Sequence, residues 1–500
     1  MRALRDARQA MAARTPPRLV VTADRLAHGE TGPQRRIGRR LPGWLARRGP
    51  VTAVQVRSFS AVETLESNLR TVTGALDRGG VTYTVLKTAT MQRPVVVVTA
   101  DRATAAVAAL TALTALSAAG TPGVQVQPVG ETVLRVFIER AAGDLLLAGP
   151  ELGCDLVIAG PDTHPPYADL LRPPALDITF PIDAVYTWVD GSDPAWLARK
   201  QAAWSAQHPG SRHPLAANAA RFTSREELRY SLRSLEMYAG WVRQVFLVTD
   251  QQVPGWLRTD LPRLTVVDHR EIFPADGSGL PTFNSHAIEA RLHHIPGLAD
   301  HYLYLNDDVF FGRPVAPELF FAASGASKFF VTPSALDDEP PSTTDRPVDA
   351  AAKVSRQLIQ QAFQRDLRMK FQHVAHAQRR DVMTDLETRF AAELDRTVRE
   401  PFRHPGDVSA AASLAHYYGL ATDRAEPGDL VYLYCDIAER RAPIKLARLA
   451  RERGADMFCL NDVGAATHVS HDAERLVRDF LAGYFPLVSS FEADLPAPAS

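Results

Sequence analysis

The chain has 500 residues, 46% of them apolar, and 56 Lys and Arg balance 57 Asp and Glu to a formal net charge of −1. That balance excludes a polyanion-binding surface in bulk, so nucleic acid is not an expected partner. Three widely spaced cysteines, Cys154, Cys435 and Cys459, exclude a disulfide framework and fit a reducing, cytoplasmic setting.

The start, Met-Arg-Ala-Leu-Arg-Asp, shows no apolar signal-peptide core. Residues 1–175 alternate strand-like and helix-like pieces and are expected to form an accessory α/β domain. Strands are predicted over Val51–Phe59, Val81–Lys87, Pro94–Thr99, Val124–Val129 and Thr132–Ile138, with a helix over Ala103–Ala119. That helix is rich in Ala and Thr and follows Asp101-Arg102, so it reads as a soluble helix rather than a membrane span. No transmembrane segment is expected, and membrane association would have to be peripheral. Five prolines in Pro161–Pro174 mark a linker.

Beyond it the character changes. Ile182–Val189 is a strong strand ending in Asp190-Gly191-Ser192-Asp193-Pro194. Gly191 permits close approach of backbone to a ligand, and an exposed Trp188 would stack on a base or sugar; a core Trp and an ordinary turn would look the same. Arg221–Leu235 opens a helix with a capping-box pattern at Thr223/Glu226 or Ser224/Glu227. Arg229 and Arg233 share one stripe of it, as solvated arginines or as the lining of a phosphate site. Val245–Thr249 and Leu264–Asp268 are further strands, and the alternation with helices predicts a mostly parallel sheet. Leu280–His286, including Asn284, is a loop feeding a short helix that carries Glu289.

Tyr302–Leu305 reads as a buried strand running into Asn306-Asp307-Asp308. Two adjacent carboxylates at a strand's carboxyl end suit a metal or phosphate site, although Asn-Asp is also ordinary turn chemistry. Ala335–Val348 is rich in Asp, Pro, Ser and Thr and reads as a mobile loop. Next come a polar helical stretch to Lys370 and the pair His373 and His376, which would share one face of a helix. Phe402–Asp407 is a loop, Val408–Tyr418 and Pro443–Glu452 are helical, and Met457–Leu460 is a strand leading to Asn461. A final amphipathic helix spans Glu474–Phe485. The expected divisions are 1–175, 176–335, 336–370 and 371–500.

Four separated blocks resemble, in order, the Stealth family of sugar-1-phosphate transferases. They are IDAVYTWVDGSDP at 182–194, then RFTSREELRYSLRSLE, WVRQVFLVTD, LPTFNSHAIE and YLNDDVFFG within 221–312. The third is His373–Phe390 with FRH at 402–404, and the last is FCLND at 458–462 with RDFLAGYFP. The resemblance implies a mostly parallel α/β core of GT-A or Rossmann-like type with helical additions. It implies transfer of a hexose 1-phosphate, such as N-acetylglucosamine 1-phosphate, from a UDP-sugar to an oligo- or polysaccharide hydroxyl, with release of UMP. Mg²⁺ or Mn²⁺ would assist, held at Asp307 and Asp308. Carried over residue by residue, the resemblance implies a catalytic set of Glu289, Asp308, His373 and Arg403, with Trp188 and Asn461 on the substrates and peripheral association with a polysaccharide synthesis assembly. The reading of the residues themselves adds Asp190, Gly191, Arg229 and Asn284 as substrate-binding candidates. Asp308 and His373 both remain candidates for the general base. The chain has Asp190 where the family often has Asn, and it lacks a proline in His-Val-Ala-His. Both departures bear on donor preference. The competing expectation is a metal-dependent GT-A glycosyltransferase that forms a glycosidic bond and releases UDP.

Overall fold

The computed structural model describes residues 53–86, 90–117, 123–129, 132–159, 177–207, 222, 225–461 and 471–493. The chain divides into two units, one within Met1–Arg172 and the other essentially Pro173–Ser500. The predicted linker 161–174 and the capping residues Thr223 and Ser224 lie outside the described residues.

In the first unit, β1 (Val54–Gln55), β6 (Arg140–Ala142) and β7 (Leu145–Ala148) form a small sheet. The larger one has the order β2 (Thr84–Leu86), β3 (Val95–Thr99), β8 (Cys154–Ala159), β5 (Val133–Ile138), β4 (Val124–Pro128). Only β3 and β8 run parallel in it. Helix Ala61–Arg78 starts where the Ser60 hydroxyl accepts from the Glu63 N–H. Its Val72 and Leu76 meet Val96, Val98, Leu134 and Leu156 in one core. Of the predicted strand 51–59, residues 51 and 52 lie outside the described residues, Val54–Gln55 pairs as a strand, and Ser60 caps the helix that follows.

The second unit is built on a five-stranded sheet. Its order is β11 (Leu264–Asp268), β10 (Val245–Thr249), β9 (Ile182–Thr187), β12 (His301–Asn306), β17 (His376–Arg379). The first four strands are parallel and β17 is antiparallel to β12. β9, β10 and β12 read as near-continuous apolar runs because both faces are covered. Leaving β9, the chain goes first to β10 and β11 on one side and then returns to β12 on the other. The carboxyl ends of β9 and β12 therefore flank a topological switch point, where open α/β sheets bind ligands. Register puts Thr187 beside Asn306.

A second sheet takes over immediately after β12. β13 (Val309–Phe311) pairs antiparallel with β20 (Met457–Asn461), which pairs parallel with β19 (Tyr432–Asp436). Helix Glu227–Tyr238 packs on β13, with Ser231 Oγ donating to Val309 O and Ser234 Oγ accepting from the Phe311 N–H. Glu226 sits at φ 67° before this helix, and the Glu227 carboxylate accepts from the Arg225 N–H. Short ladders join β14 (Ser327–Phe329) to β18 (Ala425–Pro427) and β15 (Val331–Ala335) to β16 (Met369–Phe371). Helix Pro347–Phe363 places Val354, Leu358 and Ile359 in the main core. Its buried Lys353 ammonium holds Asp337 at 2.7 Å and Asp345 at 2.9 Å, fastening the polar stretch ahead of it.

Candidate active site

Asp308 follows β12, and its neighbours come from three other segments. The antiparallel register pairs Tyr304 with His376, so the chain just before β17 runs past the end of β12. There the Asn306 Nδ2 donates to His373 Nε2 at 2.8 Å. Pairing of β13 with β20 sets Cys459 opposite Val309. The Cys459 thiol donates to Asp308 Oδ2 at 3.4 Å and lies 3.5 Å from His373 Nδ1. The Tyr432 hydroxyl fixes the same loop by donating to His373 O at 2.8 Å. Asp308, His373 and Cys459 offer ligand-type atoms within 4.8 Å of one another. The second carboxylate oxygen, Asp308 Oδ1, is buried with no hydrogen-bond partner and lies 4.0 Å from His373 Nε2.

Glu289 stands at the end of the short helix Ser285–Glu289 and is buried. Tyr304 OH donates to its Oε1 at 3.5 Å, while Oε2 has no partner. Burial raises its pKa, against the opposing charges of His286, Arg403 and His373. Arg403 Nη2 donates to Ser285 Oγ at 2.6 Å. Glu289, Arg403 and His373, predicted from three distant blocks, therefore act on one another.

Asp407 holds this side together. Its Oδ2 accepts from Asn284 Nδ2 at 2.9 Å and from the His404 N–H at 2.9 Å, and lies 3.3 Å from His286 Nδ1. Asn284, expected on the substrate, is instead fully buried and caps the helix through the His286 N–H. It ties the loop before Ser285 to the loop carrying Arg403.

The exit of β9 forms the other wall. Trp188 is half-buried and its N–H donates to Val248 O at 3.1 Å. The Asp190 carboxylate accepts from the Ser192 N–H and hydroxyl at 2.8 and 2.6 Å. Gln252 reads both main-chain groups of Asp190. Gly191 N–H donates to Phe222 O at 2.9 Å, and a Cβ there would stand 2.2 Å from that oxygen. Gly191→Ala is expected to push the turn apart and raise donor KM with a lowered Tm. An unchanged KM and Tm in that variant would remove the turn from the donor site. Asn461, at the end of β20, is half-buried, and its carbonyl accepts from the Ile437 N–H.

Two expectations are corrected. Arg229 is not a solvated arginine: it is bound to Glu492, which also takes Arg233 Nε at 2.7 Å and Nη2 at 2.8 Å. His376 does not share a helix face with His373. It lies in β17, buried, with Nδ1 3.0 Å from His416 Nε2, because alternation along a strand turns it into the core.

Carboxylates crowd behind Asp308. Burial raises the Glu227 carboxyl, and the Asp308 charge adds to that. Asp307 is likewise pushed well above the ordinary range by burial and by the charges of Glu227 and Asp308. Such a group is costly without a cation. Carboxylate oxygens are the kind of donor that Mg²⁺ and Mn²⁺ take.

Comparison with known proteins follows this geometry. Models of four Stealth protein conserved regions match in order: region 1 over 180–203, region 2 over 221–329, region 3 over 372–420 and region 4 over 447–498. The exopolysaccharide phosphotransferase CpsY of Mycobacterium tuberculosis is 38% identical over 365 residues, covering 72% of this chain and 67% of CpsY. The chain belongs to the Stealth family. An exopolysaccharide phosphotransferase of Streptomyces coelicolor is 48% identical over 316 residues, 63% of this chain and 53% of the relative. The chain thus spans about half the length of that relative. Among solved structures, the galactosyltransferase LgtC with donor and acceptor sugar analogs aligns with a TM-score of 0.33 and 13% identity, over 63% of this chain and 98% of LgtC.

In this Stealth chain the conserved regions 1 to 3 bring in Trp188, Asp308, Glu289, His373 and Arg403, and region 4 brings Cys459. Cys459 and Lys200 were not among the expected site residues. The Lys200 ammonium lies 3.7 Å from the Phe222 ring centre and 5.2 Å from that of Trp196, with no carboxylate partner among the described residues. Burial lowers its pKa to about 8. No signal in the sequence separates it from a solvated helix lysine, because only the fold folds Phe222 over it.

Proposed function

We propose that this chain transfers a sugar 1-phosphate, such as an N-acetylhexosamine 1-phosphate, from a UDP-sugar to a saccharide hydroxyl. The products are a phosphodiester and UMP, and the setting is exopolysaccharide synthesis, as the names of its relatives suggest. The observation that carries the reading is Asp308 Oδ1, buried, without a partner, beside His373. Cys459 occupies Oδ2, so Oδ1 is the lone pair left to take the acceptor's proton. Asn306 donates to His373 Nε2, which leaves the ring proton on Nδ1 toward Cys459. Arg403 offers a planar fork for phosphate oxygens, Lys200 adds an unpaired positive charge near the Gly191 turn, and the β9 exit holds the nucleotide end. Glu289, with one free oxygen, suits a donor sugar hydroxyl. Asp307, with Glu227 nearby, would hold Mg²⁺ or Mn²⁺, which when bound supplies charge neutralisation for the diphosphate.

Purified protein is incubated with UDP-sugars and acceptor oligosaccharides, and products are read by mass. UMP and a phosphodiester-linked product are expected, with turnover lost on chelation and restored by Mg²⁺ or Mn²⁺. UDP together with a glycoside would overturn the proposal.

A further inference from the structure

A second cluster of ligand-type side chains lies apart from Asp308. His293 and His294 belong to the 3-10 turn Leu292–His294 just ahead of β12, and Glu387 lies in helix Arg380–Arg389 just after β17. Both imidazoles point their Nε2 atoms at one carboxylate oxygen, Glu387 Oε2, each at 2.8 Å. All three ligand atoms fall within 4.8 Å of one another.

The surroundings orient these atoms. The other carboxylate oxygen is taken by Arg291 Nη1, and Arg291 Nε is itself anchored on Ile272 O at 2.9 Å. Glu387 is thereby held as a one-oxygen donor, with Oε2 turned toward the histidines, a supporting arrangement common around bound metals. His293 Nδ1 is buried without a partner. In the metal-free chain each Nε2 donates its proton to Glu387 Oε2, and a bound cation would displace those protons. His293 is sealed at 3% side-chain exposure, whereas His294 and Glu387 stand at 37% and 34%. One side is therefore open for water to complete a four-coordinate shell.

We infer that His293, His294 and Glu387 form a binding site for a zinc-class divalent cation. Two imidazoles and a carboxylate match zinc and are a poor match for Mg²⁺, which prefers an octahedron of oxygens. The ion would join the turn downstream of Glu289 to the helix downstream of β17, pinning two segments that converge on the Asp308 centre. It is a structural tie, independent of the proposed transfer reaction.

The test uses the full chain, stripped with chelator, titrated with Zn²⁺ against a chromophoric chelator, and assayed for metal after gel filtration. One retained equivalent is expected, with a melting temperature that climbs with free Zn²⁺. His294→Ala and Glu387→Gln should each weaken that binding by at least about tenfold. Cys459→Ala should retain the equivalent, which separates this site from the Asp308–His373–Cys459 cluster. Wild-type protein that retains no Zn²⁺, variants that bind as well as wild type, or loss of the ion in Cys459→Ala overturns the inference. If Glu387→Gln fails to fold, the half-exposed His294→Ala decides alone.

Discussion

Asp308→Asn lowers the rate of sugar-phosphate transfer by about 10²–10⁴-fold, the span of a general base. The substitution is nearly isosteric and removes a charge from a crowded group of carboxylates, so Tm is expected to hold or rise. Loss of activity with an intact fold is the signature of a chemical role. The amide at position 308 keeps an oxygen, so the Cys459 thiol retains an acceptor and the loop keeps its shape. His373→Gln provides the comparison. If Asp308→Asn keeps more than about a tenth of wild-type turnover while His373→Gln falls by the larger factor, the base is the imidazole.

The second large effect concerns stability. Glu492 has a side chain with 0% exposure and lies between Arg233 at 9% and Arg229 at 18%. Its carboxylate also accepts from the Ser489 N–H and hydroxyl at 2.9 and 3.0 Å. Glu492→Ala leaves two guanidiniums facing a buried void and is expected to cost about 3–5 kcal/mol, read from denaturant midpoints. Burial would raise the Glu492 pKa, but Arg233, Ser489 and Arg229 more than offset it and lower it. A depressed folded value means the ionised pair contributes fully above the unfolded carboxyl pKa, about 4.3, and fades as pH falls through the folded value. The wild-type advantage over Glu492→Ala should therefore shrink in acid. Arg229→Ala should show mainly in Tm. A variant with wild-type Tm and a raised donor KM would return Arg229 to the donor site.

Much of the second unit was legible because its signals are local. Near-continuous apolar runs fix β9, β10 and β12, and the alternation with helices fixes a mostly parallel sheet. Motif blocks bring Glu289, Asp308, His373 and Arg403 into one set; His373 lies 4.0 Å from Asp308, and the charges of Arg403 and His373 bear on Glu289. What escaped depends on partners far along the chain. Arg229 looks solvated until Glu492 arrives, 263 residues later. Asn284 looks like a loop donor until Asp407 buries it. His373 and His376 fit a helical spacing, yet β12 recruits the segment as an antiparallel edge strand, an instance of tertiary pairing overriding a three-residue repeat. Helix Ala61–Arg78 lies outside the expected elements although its cues, Ser60 as cap and Leu65, Val72 and Leu76 on one side, are present. Its many Thr residues weaken the helical signal.

Asp308 meets Cys459 across 151 residues, because β13 can only be completed by β20. Such long-range pairing forms late, after loop-closure entropy has been overcome. A nascent chain that has already made β9 to β12 still has one edge of its centre unformed, and Asp308 has neither its thiol neighbour nor the ladder that seats β13. A chain truncated before β20 is therefore expected to lose the seating of β13 and the thiol contact to Asp308 together.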